Sequence, residues 1–487
     1  MNSQSSPPPE TLNEVRHPPI WRRTWFLCSI IFFSALSLRM ADQSYFTDQK
    51  RYRDRCAQDA FWATTSYWIN DSKVYAYIGQ NVYHGHPYSA TPDHLPQSGR
   101  KGKPRAFEPA ATRSPGYPWF IAGVHALTAE DSRTTAGWWC NRTKVIMAQI
   151  VLDSANCVLL FWIVSMLFTR SPFPAFFAGL FAASSPFLIF YSKAFLKESL
   201  TAFFLTLGVG LFILAMKRRK LRYWTLPGIA FGLMALTSPQ FFLLPPFLVG
   251  CVLLFWRREQ WIKKMCIMML MFAASILPWT IRNAVVFGEF IPLGVGGVGV
   301  SLFWGAHEHW DNWRGWRKFP TFMFKSTKEE KKFNKAYKQY CDYHYASSIK
   351  IRKPEKKIRA TALEYIRMNP ARVFVNWILN QPRLWFLVPH TKMSIAVASQ
   401  WFFLVTIPFM IAGVVFLWRR ELIYALPILG TFAYTNALFF PLHVQPRYGV
   451  PVIPVLLALA GIGLYAAFYW ATRRRGDLAQ DTVEATV

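Results

Sequence analysis

The chain has 487 residues, 53% hydrophobic and 17% aromatic, and its 55 Lys and Arg against 26 Asp and Glu leave a formal charge of +29. With 21 Trp, 42 Phe and 20 Tyr it cannot be intrinsically disordered, because that much apolar surface does not stay solvated. Length alone would suggest about three soluble domains, yet the apolar residues fall in blocks of roughly 20, the length that spans a bilayer. The basic residues flank those blocks, so membrane topology and anionic lipid phosphates explain them better than nucleic acid does.

From the N-terminus, Met1 to Arg23 is rich in Pro and Ser and carries no small-residue cleavage site after the first apolar stretch. Residues 1–24 are therefore expected to stay attached as a cytoplasmic tail. Apolar spans then read Trp25–Met40, Val145–Phe168, Phe173–Tyr191, Leu200–Met216, Leu226–Leu236, Phe241–Trp256, Met265–Trp279, Ala396–Trp418, Leu422–Leu442 and Val450–Trp470, about ten in all. The expected layout is a first transmembrane helix at 25–40, an external loop at 41–144 and helices 2–7 within 145–282. A second external loop at 283–399, helices 8–10 within 400–472 and a cytoplasmic tail at 473–487 complete it. Arg22-Arg23, Lys217–Lys220, Arg257-Arg258 with Lys263-Lys264, Arg419-Arg420 and Arg473–Arg475 then all fall on one side, as the positive-inside rule requires. The weakest point is Thr237-Ser238-Pro239, where one broken helix in place of two would flip everything downstream.

The first external loop contains Asn70-Asp71-Ser72-Lys73-Val74-Tyr75, with Tyr75, Ile78 and Val82 at helical spacing. A short amphipathic helix is expected, with Asp71 near its N-terminus. An Asp there is either a helix cap or a reactive carboxylate, and on residue type alone the cap is favoured. Arg113-Ser114-Pro115-Gly116-Tyr117-Pro118 makes a rigid turn into Ile121–Leu127, too short to span and so read as a helix lying at the membrane interface. Arg113 there either snorkels to headgroups in general or pairs with one phosphate. Cys56 and Cys140 share this loop, and in an oxidising compartment they either form a disulfide or remain thiols. Cys28, Cys157, Cys251 and Cys266 lie in predicted spans, where a buried inert thiol is the default.

Taken together, the Asp-x-x-x-Tyr helix in a first external loop, the Arg before Pro-Gly-Tyr-Pro and the interfacial helix resemble the polytopic glycosyltransferases of the GT-C fold. The resemblance is to the protein mannosyltransferase and aminoarabinose transferase superfamily. Lys197-Glu198-Ser199-Leu200, Pro278–Asn283, Gly299–Gly305 and Gln445–Pro451 agree with it in the right order. One departure is Ser238-Pro239 where related sequences often have Arg-Pro, so a basic residue there is absent or supplied by Lys193 or Lys197. Another is an insertion of roughly thirty residues before Asp71, whose Asp42, Asp48, Asp54 and Asp59 compete with it for the same role.

The resemblance implies an all-α, GT-C-like bundle with two long external loops carrying interfacial helices, in the inner (plasma) membrane. Both termini would be cytoplasmic and the active site external. It also implies inverting transfer of a sugar from a polyprenyl-phosphate donor to an acceptor hydroxyl on protein, lipid or glycan. Such a reaction needs a carboxylate to take the acceptor's proton and cations to stabilise the departing phosphate. Asp71 is the candidate base. Glu198 either assists it or is a helix-start charge paired with Lys193 or Lys197. Arg113, Arg282 and Arg447, with Tyr448, are candidates for the donor phosphate, and Tyr75 and Tyr117 for support of the acceptor or loop. Enzymes of this fold occur with and without a divalent metal, so a metal is neither required nor excluded.

His307-Glu308-His309 with Asp311 is a poor metal site, since histidines two apart share a face only in a strand. Gly294–Gly299 is a loop and not a nucleotide cradle, because no Lys-Ser/Thr follows it. Lys325–Lys357, with Tyr337, Tyr340, Tyr343 and Tyr345 interleaved, reads as a solvated helix pair facing water, acidic headgroups or an anionic glycan. Two rival functions share the overall pattern: a transporter or flippase of a lipid-linked or polar substrate, and a polysaccharide polymerase or ligase. A transporter would place its charges near the bilayer midplane and show paired broken helices, whereas here the charges gather at one boundary.

Overall fold

A computed structural model describes residues 20–41, 67–90, 109–128, 143–168, 171–255, 259–306, 324–344, 350–386, 393–420 and 422–484. Asp42, Asp48, Asp54, Asp59, Cys56, Cys140, Tyr345 and the 307–311 cluster lie outside these. The first half contains α1 (Ile20–Ala41), α2 (Tyr67–Tyr83), α3 (Gly116–Leu127), α4 (Thr143–Leu167), α5 (Phe173–Ser184), α6 (Pro186–Ser192), α7 (Glu198–Arg218) and α8 (Thr225–Thr237). The second contains α9 (Leu244–Phe255), α10 (Glu259–Phe287), α11 (Val298–Ala306), α12 (Thr327–His344), α13 (Arg352–Met368), α14 (Pro370–Asn380), α15 (Met393–Arg420), α16 (Leu422–Phe439), α17 (Pro446–Gly449) and α18 (Ile453–Glu484). Among the described residues the only extended pairing is an isolated bridge between Ser89 and Pro109.

Among the described residues, six stretches are long and apolar enough to cross a membrane: Thr24–Ala41, Thr143–Leu167, Glu198–Arg218, Trp261–Phe287, Val397–Trp418 and Pro446–Thr472. Such helices are apolar all round because lipid or other helices surround them. The expected span Phe173–Tyr191 is two helices, α5 and α6, bent by 56° at Ser185. Pro186 causes the break, since it has no N–H to donate back into the preceding turn. Every expected span coincides with helix. Three of them, α8 at 13 residues and the apolar helices Pro239–Phe255 and Ile423–Phe439, are shorter than the roughly 20 residues of a straight crossing. The Thr237-Ser238-Pro239 break does separate two helices.

Pro446–Thr472 is the centre of the bundle, 83% buried, whereas Thr24–Ala41 is peripheral at 17%. The central α18 packs on α15 and α5. Gly413 and Gly463 let two backbones touch: a Cβ at Gly413 would collide with the Leu459 carbonyl, and one at Gly463 with that of Phe409. The peripheral α1 is fixed by a buried ion pair with α4. Arg39 donates to Asp153 from Nε at 2.7 Å and Nη2 at 2.5 Å, and from Nη1 to the carbonyls of Ala35 and Ala183.

α11 to α14 build a second core of their own from Phe303, Phe333, Tyr337, Tyr340, Ile358, Tyr365 and Val373. The expected solvated helix pair is thus α12 and α13 with one face turned inward. Tyr337 and Tyr340 are buried, while Lys328, Lys331, Lys332 and Lys335 are exposed. The helical spacing of the aromatic residues accounts for this, since they share one face of α12. α14 packs through Val373 and Asn376 and leaves Phe374, Val375, Ile378 and Leu379 exposed, the pattern of a helix lying at an interface.

Candidate functional site

α2 begins at Tyr67, four residues before Asp71, so Asp71 is not its cap and its carboxylate is available for tertiary contacts. Two guanidiniums take it. Arg113 Nη2 lies 2.6 Å from Oδ1 and Arg447 Nη1 lies 2.9 Å from Oδ2. The three residues come from the α2 helix, the turn before α3 and the start of the α17–α18 span, with Asp71 and Arg447 376 positions apart in the chain. Arg447 is 9% exposed at its side chain and Arg113 13%, against 21% for Asp71, so a water-facing edge remains on the carboxylate.

The turn that positions Arg113 is tightly seated. A Cβ at Gly116 would lie 2.5 Å from Thr237 Oγ1 and 2.8 Å from the Thr237 backbone, so Pro-Gly-Tyr-Pro, which forms the N-terminus of α3 and not the expected turn, docks on the break between α8 and the chain after it. Tyr117 is fully buried and donates to Gln149 Oε1 at 2.6 Å, while the Gln149 amide donates to the carbonyls of Ser192 and Ala194. Gln149 thereby ties α4, the turn and the approach to α7 together. Tyr75 packs edge-on against Tyr117 with ring centroids 5.1 Å apart and carries the Arg113 guanidinium 5.7 Å above its ring. Burial holds the Tyr75 hydroxyl above its ordinary titration range, so it is neutral.

Glu198 opens α7, where the helix dipole favours a carboxylate. It is buried, 4% exposed, within electrostatic reach of Arg447, Lys197 and Asp71, and among the described residues its Oε2 has no hydrogen-bond partner. Lys197 precedes it. Burial, with Arg113 and Arg447 adding to it, pushes the Lys197 ammonium down to about 8 against the opposing pull of Glu198 and Asp71. Tyr448 stacks on Phe439 at 5.0 Å, and its hydroxyl is 3.5 Å from Arg447 Nη2. Three cations, Arg113, Arg447 and Lys197, thus face two carboxylates, Asp71 and Glu198, and the surplus is positive.

Arg282 is placed differently from the expectation. It makes no ion pair with Asp71. It donates instead to the Ala110 carbonyl at 3.0 Å and the Tyr88 carbonyl at 3.4 Å, and sits over the rings of Trp279 and Tyr88 at 4.9 and 5.5 Å. Tyr88 in turn donates its hydroxyl to the Arg113 carbonyl at 3.0 Å. Arg282 therefore staples the Ser89–Pro109 bridge and, through Tyr88, the backbone that presents Arg113.

Tyr88, Gln149 and His443 were not singled out by sequence. His443 packs its ring against Trp304, its Nε2 lies 3.1 Å from the Gln445 amide nitrogen, and burial with Arg447 and Arg383 pushes it down to about 3, so it is neutral. The only signal for it was its position four residues before Arg447. Among the described residues no three His, Cys, Asp or Glu side chains gather as a metal-binding group.

Residues 112–281 match the family model described as dolichyl-phosphate-mannose-protein mannosyltransferase, a stretch that includes Arg113, Tyr117, Lys197 and Glu198. By sequence, no curated protein matches the chain. Among solved structures it is similar to the oligosaccharyltransferase AglB from Archaeoglobus fulgidus, in complex with an inhibitory peptide and a dolichol-phosphate. The identity is 14% and the TM-score 0.50, over 94% of this chain and 52% of that one. The chain thus spans about half the length of that relative. A second similar structure is ArnT from Cupriavidus metallidurans bound to undecaprenyl phosphate, at 14% identity and a TM-score of 0.37, over 89% of this chain and 77% of that one. The likeness to AglB is one of fold: among the described residues, a bundle of helices of which six are long and apolar enough to cross a membrane.

Proposed function

We propose that the protein is an inverting membrane glycosyltransferase that moves a sugar from a polyprenyl-phosphate carrier to an acceptor hydroxyl. Asp71 is the general base, and Arg113 and Arg447 hold the donor phosphate with help from Lys197 and the Tyr448 hydroxyl. The observation that carries this reading is the convergence on one carboxylate of two guanidiniums from distant parts of the chain, at 2.6 and 2.9 Å. Paired guanidiniums suit a phosphate because each presents a planar fork of donors. A general base beside them sits where an acceptor hydroxyl would approach the anomeric carbon opposite the phosphate. The hydroxyl oxygen forms the new bond to that carbon while the carbon–oxygen bond to the phosphate breaks. The proton passes to Asp71 and the electron pair leaves with the phosphate.

Glu198, one helix start away, orients the acceptor or Asp71, and Tyr75 and Tyr117 keep Arg113 in place. Arg282 serves as a positioning residue for that arrangement. The site lies on the external face and both termini on the cytoplasmic one. In support, Lys217 donates to the Met166 carbonyl and sits 5.0 Å from the Tyr424 ring, which puts the basic 217–222 cluster at the end of α7 opposite Glu198. Residues 41–144 and 283–399 are then the two external loops. Purified protein given a panel of polyprenyl-phosphate-linked sugars, dolichyl-phosphate-mannose among them, should release free polyprenyl phosphate. Tight lipid binding with no release from any donor would favour a transporter or a ligase.

A further inference from the structure

The two guanidiniums that suit a donor phosphate are both already engaged, one on each oxygen of Asp71. A bound phosphate and the Asp71 carboxylate would therefore compete for the same donors. Resting on the reading of this site as a lipid-phosphate transferase, we infer that Asp71 occupies the phosphate position in the resting enzyme and is displaced by the donor. Displacement is what frees it to act as a base.

The geometry favours an exchange over a simple addition. Arg113 gives Nη2 to Asp71 Oδ1 and Nη1 to the Thr112 carbonyl at 3.1 Å, and its face lies over Tyr75. Arg447 gives Nη1 to Asp71 and Nη2 to the Tyr448 hydroxyl. A phosphate seated on the Nη groups that now hold the carboxylate takes the place of Asp71. A phosphate oxygen and a carboxylate oxygen accept the same charge-assisted bonds at the same lengths, so one replaces the other without repacking the aromatic shelf of Tyr75 and Tyr117.

The exchange couples phosphate binding to the reactivity of Asp71. While two cations hold it, the carboxylate is a poor proton acceptor. Once the phosphate has drawn both of them off, it is a better one, next to the sugar it must activate an acceptor against. Reaction with a stray hydroxyl is then suppressed until the donor is seated. Thermodynamic reciprocity makes this testable, because whatever the phosphate does to Asp71, removal of the Asp71 charge must do to the phosphate.

The test is the affinity of purified full-length protein for undecaprenyl phosphate, with the uncharged polyprenol and inorganic phosphate as separate arms, in wild type, Asp71→Asn and Asp71→Ser. Both substitutions keep a hydrogen-bonding group and remove the charge, so one can stand in if the other fails to fold. Tighter binding of the lipid phosphate by roughly tenfold in the charge-free variants, within the usual 5- to 150-fold range of coupled sites, is the expected result. Polyprenol should be unaffected, and inorganic phosphate should show the same gain if the headgroup alone is recognised. Equal or weaker binding of undecaprenyl phosphate by both variants, with wild type still preferring it to polyprenol, overturns the exchange and leaves the transferase reading standing. No preference for the phosphate in any protein overturns both.

Discussion

Arg39 and Asp153 form a buried ion pair inside the helix bundle, with side chains 0% and 2% exposed. Arg39 supplies two bonds to one carboxylate oxygen and two more to the carbonyls of Ala35 and Ala183, and thereby joins α1 to both α4 and α5. Arg39→Ala removes the cation and leaves the carboxylate with no counter-charge and no water, a change that costs about 3–5 kcal/mol. Replacing both residues with apolar ones of similar size, Arg39→Met with Asp153→Leu, removes the uncompensated charge and should return stability to within about 1 kcal/mol of wild type or above it. At an unfolding entropy of about 2.1 cal/mol/K per residue, a chain of 487 residues shifts by about 1 °C per kcal/mol, so the single change should lower the midpoint of thermal unfolding in detergent by roughly 3–5 °C, and the double variant should recover most of that. The assay is the fraction of monodisperse protein surviving a temperature series, run as a double-mutant cycle. A single-variant shift below roughly 2 °C, or strictly additive losses in the double variant, would refute the view that this pair fixes α1 to the bundle.

The other expectations concern the site and its scaffold. Lys197 is charged below its value of about 8 and neutral above it, so the positive potential at the phosphate position is present at pH 7 and lost as pH rises. Donor binding should weaken between about pH 7 and 9 in wild type and stay flat in Lys197→Arg, whose charge persists through that window. A binding isotherm at each pH checks this, and an unchanged slope in the Arg variant would contradict it. Arg282→Ala should impair turnover by loosening the Tyr88 and Ala110 carbonyls that support Arg113, and Arg282→Lys should not restore it, because an ammonium cannot reproduce the fork and the stack on Trp279. Rescue by Lys, measured as kcat/KM, would point instead to a simple charge at the phosphate. Gly413→Ala should destabilise the protein by about 1–3 kcal/mol, since the added carbon has no room beside the Leu459 carbonyl. A melting point equal to wild type would show that α15 and α18 can separate freely.

The legible parts of the sequence were those governed by local composition. Val145–Phe168 and Leu200–Met216 are uniformly apolar over a membrane's thickness, and both fall in helices that match them closely. Pro-Gly-Tyr-Pro reads as a rigid turn on local grounds, whereas Gly116, Tyr117 and Pro118 are the first residues of α3 with Pro115 at its N-cap. The two breaks were harder. Pro186, after Ser184-Ser185, divides a run that stays apolar on average, and Thr237-Ser238-Pro239 divides one too short for two full crossings. Proline acts on backbone hydrogen bonds, which hydropathy does not sense.

Within the site, residue type raised Asp71, Arg113, Arg447 and Glu198, but their meeting is a tertiary fact that no spacing encodes. Arg282 illustrates the limit. Its depth in the bundle resembles that of the others, yet its side chain turns to backbone carbonyls. Arg39 and Asp153 were missed because a single charge does not interrupt the hydropathy of an apolar run, and its partner lies 114 residues away.

The most direct measurement is release of free polyprenyl phosphate from polyprenyl-phosphate-linked sugars by the purified protein and by its Asp71→Asn variant in liposomes. Release by wild type with at least one donor, and its loss by a factor of about 100 or more in the variant while the lipid still binds, is the expected result. Comparable release by both proteins would show that Asp71 is not the base.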